Sequence, residues 1–176
     1  MTSEKPIPPG ASGGAEDPGA PDAADAGWME EALREAQAAV AHGDVPVGAV
    51  IVDASGHALA RAHNRREIDA DPTAHAEILA LRDAARARGH WRLDDCTLFV
   101  TLEPCAMCAG AMINARLGRL VFGARDPKAG ALVSLYRLAE DQRLNHRFSV
   151  TADCSPAASV ALLQSFFRAL RARGEK

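Results

Sequence analysis

The 176-residue sequence has no strong excess of either charge, no long apolar run and few cysteines. Its 20 basic and 23 acidic residues give a formal net charge of -3, which excludes a protein that coats nucleic acid through overall positive charge. No stretch is long and apolar enough to span a membrane, and the first residues lack the basic start and apolar core of a secretory signal peptide. We therefore expect a cytoplasmic protein, whose reducing surroundings keep its thiols free.

Residues 1–27 contain no aromatic side chain and are rich in proline, glycine, alanine and acidic residues. They hold five acidic residues and one lysine, so the rest of the chain has a net charge of about +1. A segment of this composition buries too little apolar surface to offset the entropy lost on ordering. We predict a disordered acidic tail over residues 1–27 and one folded domain over residues 28–176.

The rest of the sequence alternates helical and strand patterns. Apolar periodicity, β-branched runs and helix-stop signals predict where each element lies. The predicted helices are residues 28–42, 74–88, 106–115, 134–140 and 156–173; the predicted strands are residues 47–53, a second strand ending near Asn64, and residues 96–101, 119–123 and 148–151. This alternation favours an α/β fold with helices on both faces of a five-stranded sheet, a three-layer α/β/α sandwich.

Two short segments contain the residue types of a catalytic metal site. His75, Cys105 and Cys108 supply one nitrogen and two sulfur ligands, and Glu77 adds a carboxylate that is not needed as a ligand. Three protein ligands with the fourth position left for water is the composition of a catalytic zinc site. His-x-Glu alone is common on solvated helices, and Cys-x-x-Cys alone also occurs in redox and structural zinc proteins. Their combination is far more specific.

Both segments are expected at helix N-termini. The Asp71-Pro72-Thr73 start signal places His75 and Glu77 in a first turn, because deeper in a helix two residues at this spacing point apart. Cys105 and Cys108 share one face of the next helix, where the positive dipole end favours thiolates.

This placement suits hydrolytic chemistry. Zinc lowers the pKa of bound water from about 15.7 to about 7, which makes hydroxide available at neutral pH. Glu77 is then the candidate general acid and base that carries a proton to a departing nitrogen. The predicted reaction is hydrolysis at an amidine-like carbon with release of ammonia.

The two segments resemble the His-x-Glu and Pro-Cys-x-x-Cys signature of the zinc-dependent cytidine deaminase superfamily. Over residues 28–170 the sequence is also similar to the bacterial tRNA-specific adenosine deaminases. The stretches that carry this similarity are DVPVGAV at 44–50, NR at 64–65, DPTAHAEI at 71–78, TLEPCAMCAGAMI at 101–113, FGARD at 122–126 and NH at 145–146.

The resemblance implies a cytidine deaminase-like fold with a mixed sheet, and deamination of adenosine to inosine at the wobble position of tRNA. It implies one zinc ion per subunit on His75, Cys105 and Cys108, with Glu77 as proton shuttle. It further implies that Asn64, Ala76 and Asp126 bind substrate, with Asn64 at the flipped nucleoside and Asp126 at the anticodon-loop backbone. The implied assembly is a homodimer that binds the anticodon stem-loop across both subunits.

Several alternatives remain open at this level. Asn64 and Asp126 are also typical turn residues, the latter before Pro127. A deaminase of a free base or nucleoside, such as guanine or cytosine, would use the same zinc chemistry. A zinc-stabilised RNA-binding module without catalysis is a third reading, and Glu77 argues against it because a structural site has no use for an unligated carboxylate.

Overall fold

Five strands form one mixed sheet in the computed structural model, which describes residues 19–174. Along the chain the elements are α1 (Ala23–Val40), β1 (Gly48–Val52), β2 (Ala58–His63), α2 (Ala76–Arg88), β3 (Thr97–Leu102), α3 (Ala106–Asn114), β4 (Arg119–Ala124), β5 (Ser149–Thr151) and α4 (Pro156–Ala172). The strand order is β2-β1-β3-β4-β5. Strand β1 pairs antiparallel with β2 and β3, whereas β4 pairs parallel with β3 and β5.

The helices cover both faces of the sheet. Helices α1 and α4 pack on one face, and α2 and α3 on the other. The side chains of β1 alternate accordingly, with Ile51 in the core beneath α2 and α3 and Val50 in the core beneath α1. All five residues of β1 are buried, as expected for a strand covered on both faces. The predicted three-layer α/β/α sandwich with a five-stranded mixed sheet is confirmed.

The first helix begins earlier than predicted. Asp22 accepts a hydrogen bond from the Asp25 N–H, and the Asp25 carboxylate accepts one from the Asp22 N–H, which is a capping box. The buried Asp25 also makes a two-pronged ion pair with Arg119 of β4. The predicted tail is therefore wrong for residues 22–27, because these two acids start and anchor α1; residues 1–18 lie outside the described residues.

The predicted helix over residues 134–140 is also wrong, because residues 131–140 form turns and irregular backbone. The N–H groups of Leu132, Val133 and Ser134 all donate to the Glu103 carboxylate. The backbone therefore curls around a buried acceptor instead of building an α-helical ladder. The other predicted strands and helices differ from the observed ones only at their ends. No helix within residues 19–174 is both long and apolar enough to cross a membrane.

Candidate active site

The first turns of α2 and α3 bring three potential metal ligands together. His75 and Cys105 are the N-cap residues of their helices, and neither side chain caps its own helix. The His75 Nδ1 atom lies 3.6 Å from the Cys108 sulfur and 3.8 Å from the Cys105 sulfur, and the two sulfurs are 3.7 Å apart. Within residues 19–174, no other group of three His, Cys, Asp or Glu residues is arranged to hold a metal ion.

The spacing of these atoms fits zinc. A tetrahedral zinc ion, with bonds of about 2.3 Å to sulfur and about 2.05 Å to nitrogen, separates two sulfurs by about 3.8 Å and a nitrogen from a sulfur by about 3.6 Å. The three separations in the structure agree with these values. No fourth His, Cys, Asp or Glu joins the group among the described residues, so three ligands leave one coordination position for another molecule.

The two thiols and the His75 imidazole form one hydrogen-bonded cluster. The hydrogen bond between the two sulfurs lowers the pKa of Cys105 to about 3, and the same bond together with burial raises the pKa of Cys108. His75 contributes to the low pKa of Cys105 and has its own pKa raised by that thiolate. A thiolate beside an imidazole attracts a cation, and a metal ion that binds there displaces the remaining protons.

Glu77 lies beside these ligands and is almost fully buried. Burial raises the pKa of its carboxyl group, partly offset by the nearby His75, and the carboxylate also interacts with the Cys108 thiol. The raised pKa brings the group closer to the neutral range in which a carboxyl group exchanges protons readily. Its position in the first turn of α2 agrees with the prediction from the sequence.

Asn64 is buried at the end of β2, and its side chain does more than start a turn. Its amide Nδ2 donates to Asp44 at 3.4 Å, and its backbone N–H donates to the carbonyl of Val47 at 2.9 Å. Asp44 also accepts the backbone N–H groups of Glu67 and Ile68. The amide is thus fixed by a fully buried carboxylate that the sequence reasoning did not assign.

The other two predicted substrate-binding residues differ in character. The Ala76 side chain is fully buried in the core, so only its backbone can contact a ligand. As the first residue of α2 it has an N–H group without an acceptor inside the helix.

The Asp126 carboxylate accepts the backbone N–H groups of Lys128 and Ala129, so it does organise a turn. Among the described residues its second oxygen, Oδ2, accepts no hydrogen bond and stays available to a ligand.

Glu103 is a second buried acid that the sequence reasoning left without a role. Its carboxylate accepts the N–H groups of Asp126, Leu132, Val133 and Ser134 as well as the Ser134 hydroxyl. These donors outweigh burial and lower the pKa of Glu103. The segment 126–134 is thereby held against Cys105, which forms an isolated β-bridge with Gly130. The sequence does contain a signal for Glu103, namely a charged residue inside an apolar run. A charged residue at such a position is seldom buried without partners.

Comparisons with known proteins agree with this geometry. The model of the MafB19-like deaminase family matches residues 23–171. A tRNA-specific adenosine deaminase of Bacillus subtilis is 46% identical over 144 residues, which cover 82% of this chain and 89% of that protein.

Two solved structures are also similar. One comes from a study of A-to-I editing by tRNA:A34 deaminases at the wobble position of transfer RNA; it has 43% identity and a TM-score of 0.75 and covers 78% of this chain and 99% of its own. A guanine deaminase from Nitrosomonas europaea has 25% identity and a TM-score of 0.72, covering 94% of this chain and 96% of its own. The chain therefore belongs to the MafB19-like deaminase family and to the family of the tRNA-specific adenosine deaminases.

Proposed function

We propose that this protein deaminates adenosine to inosine at the wobble position of tRNA anticodons. The observation that carries the proposal is the buried Glu77 carboxylate beside the three ligand atoms of His75, Cys105 and Cys108. The similarity to tRNA-specific adenosine deaminases supports the choice of substrate.

His75, Cys105 and Cys108 would hold one zinc ion per subunit. When bound, zinc activates a water molecule so that it loses a proton near neutral pH. Glu77 would accept a proton from the attacking water and deliver it to the purine ring nitrogen; it would then take the remaining proton of that oxygen and pass it to the amino group, which leaves as ammonia. The burial of Glu77 excludes bulk water from this transfer, so that the proton stays with the reacting groups.

Asn64, Ala76 and Asp126 are the proposed substrate contacts. The Asn64 amide offers hydrogen bonds to a purine edge, and the Ala76 N–H at the start of α2 offers a further donor.

Asp126 lies in a turn that also carries Lys128. Lys128 lines a groove of about 360 Å³ together with Arg125, Arg171 and the exposed Phe167. Arg125 is paired with Asp153, so Lys128 and Arg171 supply the local positive charge for RNA phosphates on a protein whose net charge is slightly negative.

A homodimer acting on tRNA in the cytoplasm completes the proposal. Leu135 and Tyr136 are each at least half exposed in the segment that follows the Glu103-bound turn, and Met107 is exposed on α3. Apolar side chains exposed beside a site support an interface with a second copy of the chain. Sedimentation equilibrium at assay concentration would give a mass near twice 18.6 kDa, and a monomer mass would remove the dimer from the proposal.

A deaminase of a free purine base remains the second candidate. The observation that favours it is the similar fold of the guanine deaminase from Nitrosomonas europaea. The sequence identity is 25% in that case and 46% for the tRNA-specific adenosine deaminase from Bacillus subtilis, which favours the tRNA substrate.

Substitution of Glu77 tests the proposed chemistry. Glu77→Ala is expected to keep about one zinc ion per subunit and to lower kcat on a wobble-adenosine stem-loop by about 10²- to 10⁴-fold, since it removes the proton carrier and no ligand. Glu30→Ala, which removes an exposed carboxylate from α1, is the matched control and should retain full activity. Zinc is measured by mass spectrometry of the metal, and inosine by nucleoside analysis. Wild-type activity in Glu77→Ala would overturn the assigned role.

A further inference from the structure

Asp44 is a fully buried carboxylate between α1 and β1 that takes no part in the proposed proton transfer. We propose that Asp44 is a positioning residue, which fixes the orientation of the Asn64 amide toward the purine edge of the substrate. The inference rests on the proposed function, in which Asn64 contacts the substrate base.

The Asp44 carboxylate is held by N–H donors alone. Its Oδ1 atom accepts the Glu67 N–H at 2.8 Å and the Asn64 Nδ2 at 3.4 Å, and its Oδ2 atom accepts the Ile68 N–H at 3.3 Å. The Asp44 N–H donates to the carbonyl of Ala39 at 3.1 Å, which ties the residue to the end of α1. Among residues 19–174 it forms no ion pair. Burying a charged carboxylate costs free energy unless hydrogen bonds compensate for the lost water, so the fold must keep the three donors in contact with Asp44.

The chemistry of a carboxylate dictates how the Asn64 amide is turned. A carboxylate only accepts hydrogen bonds, so Asn64 must present its NH2 group to Asp44. The Asn64 carbonyl oxygen accepts no hydrogen bond among the described residues. In that part of the chain, the fully buried side-chain atoms without a hydrogen-bond partner are His63 Nε2 and the Ser159 hydroxyl, so the Asn64 oxygen is not fully buried. It therefore reaches solvent. One amide thus offers an acceptor and a second N–H donor, the pair that matches an adenine edge.

The far end of the loop after Asn64 is held independently of Asp44. Arg65 donates its backbone N–H to the Ala74 carbonyl at 3.0 Å, and His75 donates to the Thr73 carbonyl at 2.7 Å. Asp71 accepts both the N–H and the hydroxyl of Thr73. Changes at Asp44 should therefore disturb Asn64 and residues 67–68 while leaving the metal ligand His75 in place.

A double-mutant cycle between Asp44 and Asn64 tests this inference. Asp44→Asn is expected to lower kcat/KM for the wobble-adenosine stem-loop by about 10- to 100-fold, mainly through KM, with zinc content unchanged. In the Asn64→Ala background the same change should have less than about a threefold effect, because the group that it positions is gone. Asp53→Asn is the matched control: Asp53 accepts the Ser55 and His57 N–H groups in the turn at the other end of β1. It should leave kcat/KM unchanged in both backgrounds.

Equal fold losses in the two backgrounds would overturn the inference, because Asp44 would then act on the fold in general. If Asp44→Asn does not fold, Asp44→Glu takes its place in the cycle. Because Asp44→Glu keeps the charge, we expect a smaller loss of kcat/KM than for Asp44→Asn, and this loss must also disappear in the Asn64→Ala background. Turnover of a free purine without turnover of the stem-loop would refute the proposed function alone, and the cycle is then run on that purine. Hydrogen exchange gives a readout without substrate: Asp44→Asn should speed exchange of the Glu67 and Ile68 amides, and unchanged exchange would contradict the positioning role.

Discussion

At the scale of single residues, three buried carboxylates near the site have different partners and therefore different roles. Glu103 accepts four backbone N–H groups and a hydroxyl, which stabilise its charge and lower its pKa. Asp44 accepts three N–H donors. Glu77 has its pKa raised by burial. Hydrogen bonds to a charged carboxylate favour the charge, and burial opposes it. Glu103 and Asp44 therefore stabilise the local structure, and Glu77 is the carboxylate suited to exchange a proton.

Cys105→Ser tests whether the three ligand atoms hold metal. The hydroxyl of serine is a far weaker zinc ligand than a thiolate, so zinc affinity is expected to fall by more than about 100-fold, beyond the usual effect of changing an outer partner. Metal retained after dialysis against a chelator measures the loss. Cys154→Ser is the control, since Cys154 is buried in the core beneath α1 and should not affect zinc. Full zinc retention in Cys105→Ser would place the metal elsewhere.

At the scale of elements, the site depends on the segment 126–134 that Glu103 gathers against the start of α3. Gly130 lies directly on this carboxylate, and an added Cβ would collide with the carboxyl group of Glu103 and the carbonyl of Asp126. The segment and the carboxylate are thus fitted to each other without room for a side chain, and the glycine is required by close approach.

Gly130→Ala is therefore expected to lower the free energy of unfolding by about 1 to 3 kcal/mol through overpacking. We also expect about a tenfold loss of kcat/KM on the stem-loop, since the displaced segment carries Asp126. Gly27→Ala on α1 is the control, because an added Cβ there meets nothing within 4 Å and should stabilise the helix by about 0.5 to 1 kcal/mol. Thermal unfolding and steady-state kinetics provide both readouts, and an unchanged melting temperature would argue against the tight fit.

The N-terminal turn of α1 yields a second prediction at this scale. Deleting residues 1–27 removes the Asp22 cap and the Asp25 partner of Arg119. Loss of the cap costs about 1 kcal/mol, and loss of the partner costs up to about 3 kcal/mol because Arg119 remains partly exposed. Together the two losses reach about 4 kcal/mol, so the melting temperature is expected to fall by up to about 8 to 16 °C. Deleting only residues 1–18 keeps every described contact and should leave the melting temperature unchanged; equal effects of the two deletions would contradict the anchoring role of Asp25.

Local sequence patterns accounted for most elements and for the identity of the candidate ligands. Cys105 and Cys108 share a helical turn, so their spacing alone predicted that they meet. The start of α1 could also be predicted, because Asp22 and Asp25 have the spacing of a capping box. The acidic composition of the segment instead favoured the prediction of a disordered tail. The partners of Asp44 and Glu103 were out of reach, since these donors lie 20 or more residues away in the chain and meet the two carboxylates only in the folded protein.

At the scale of the whole molecule, the two faces of the sheet have separate tasks. Helices α2 and α3 carry the three ligands and Glu77, while α1 and α4 cover the opposite face. The apolar side chains of β1, β3 and β4 pack between these helices and form the platform that carries the loops at its edge. The groove lined by Lys128 and Arg171 lies between α4 and the residues that end β4.

The most direct test of the account is a comparison of substrates with the wild-type, zinc-loaded protein. An anticodon stem-loop with a wobble adenosine is incubated in parallel with guanine, cytosine and free adenosine, and a stem-loop with cytidine at the wobble position is the matched control. Nucleoside analysis and ammonia release follow turnover. The account predicts inosine in the adenosine stem-loop and no turnover of the other four. Turnover of guanine or another free base, with no inosine in the stem-loop, would contradict it.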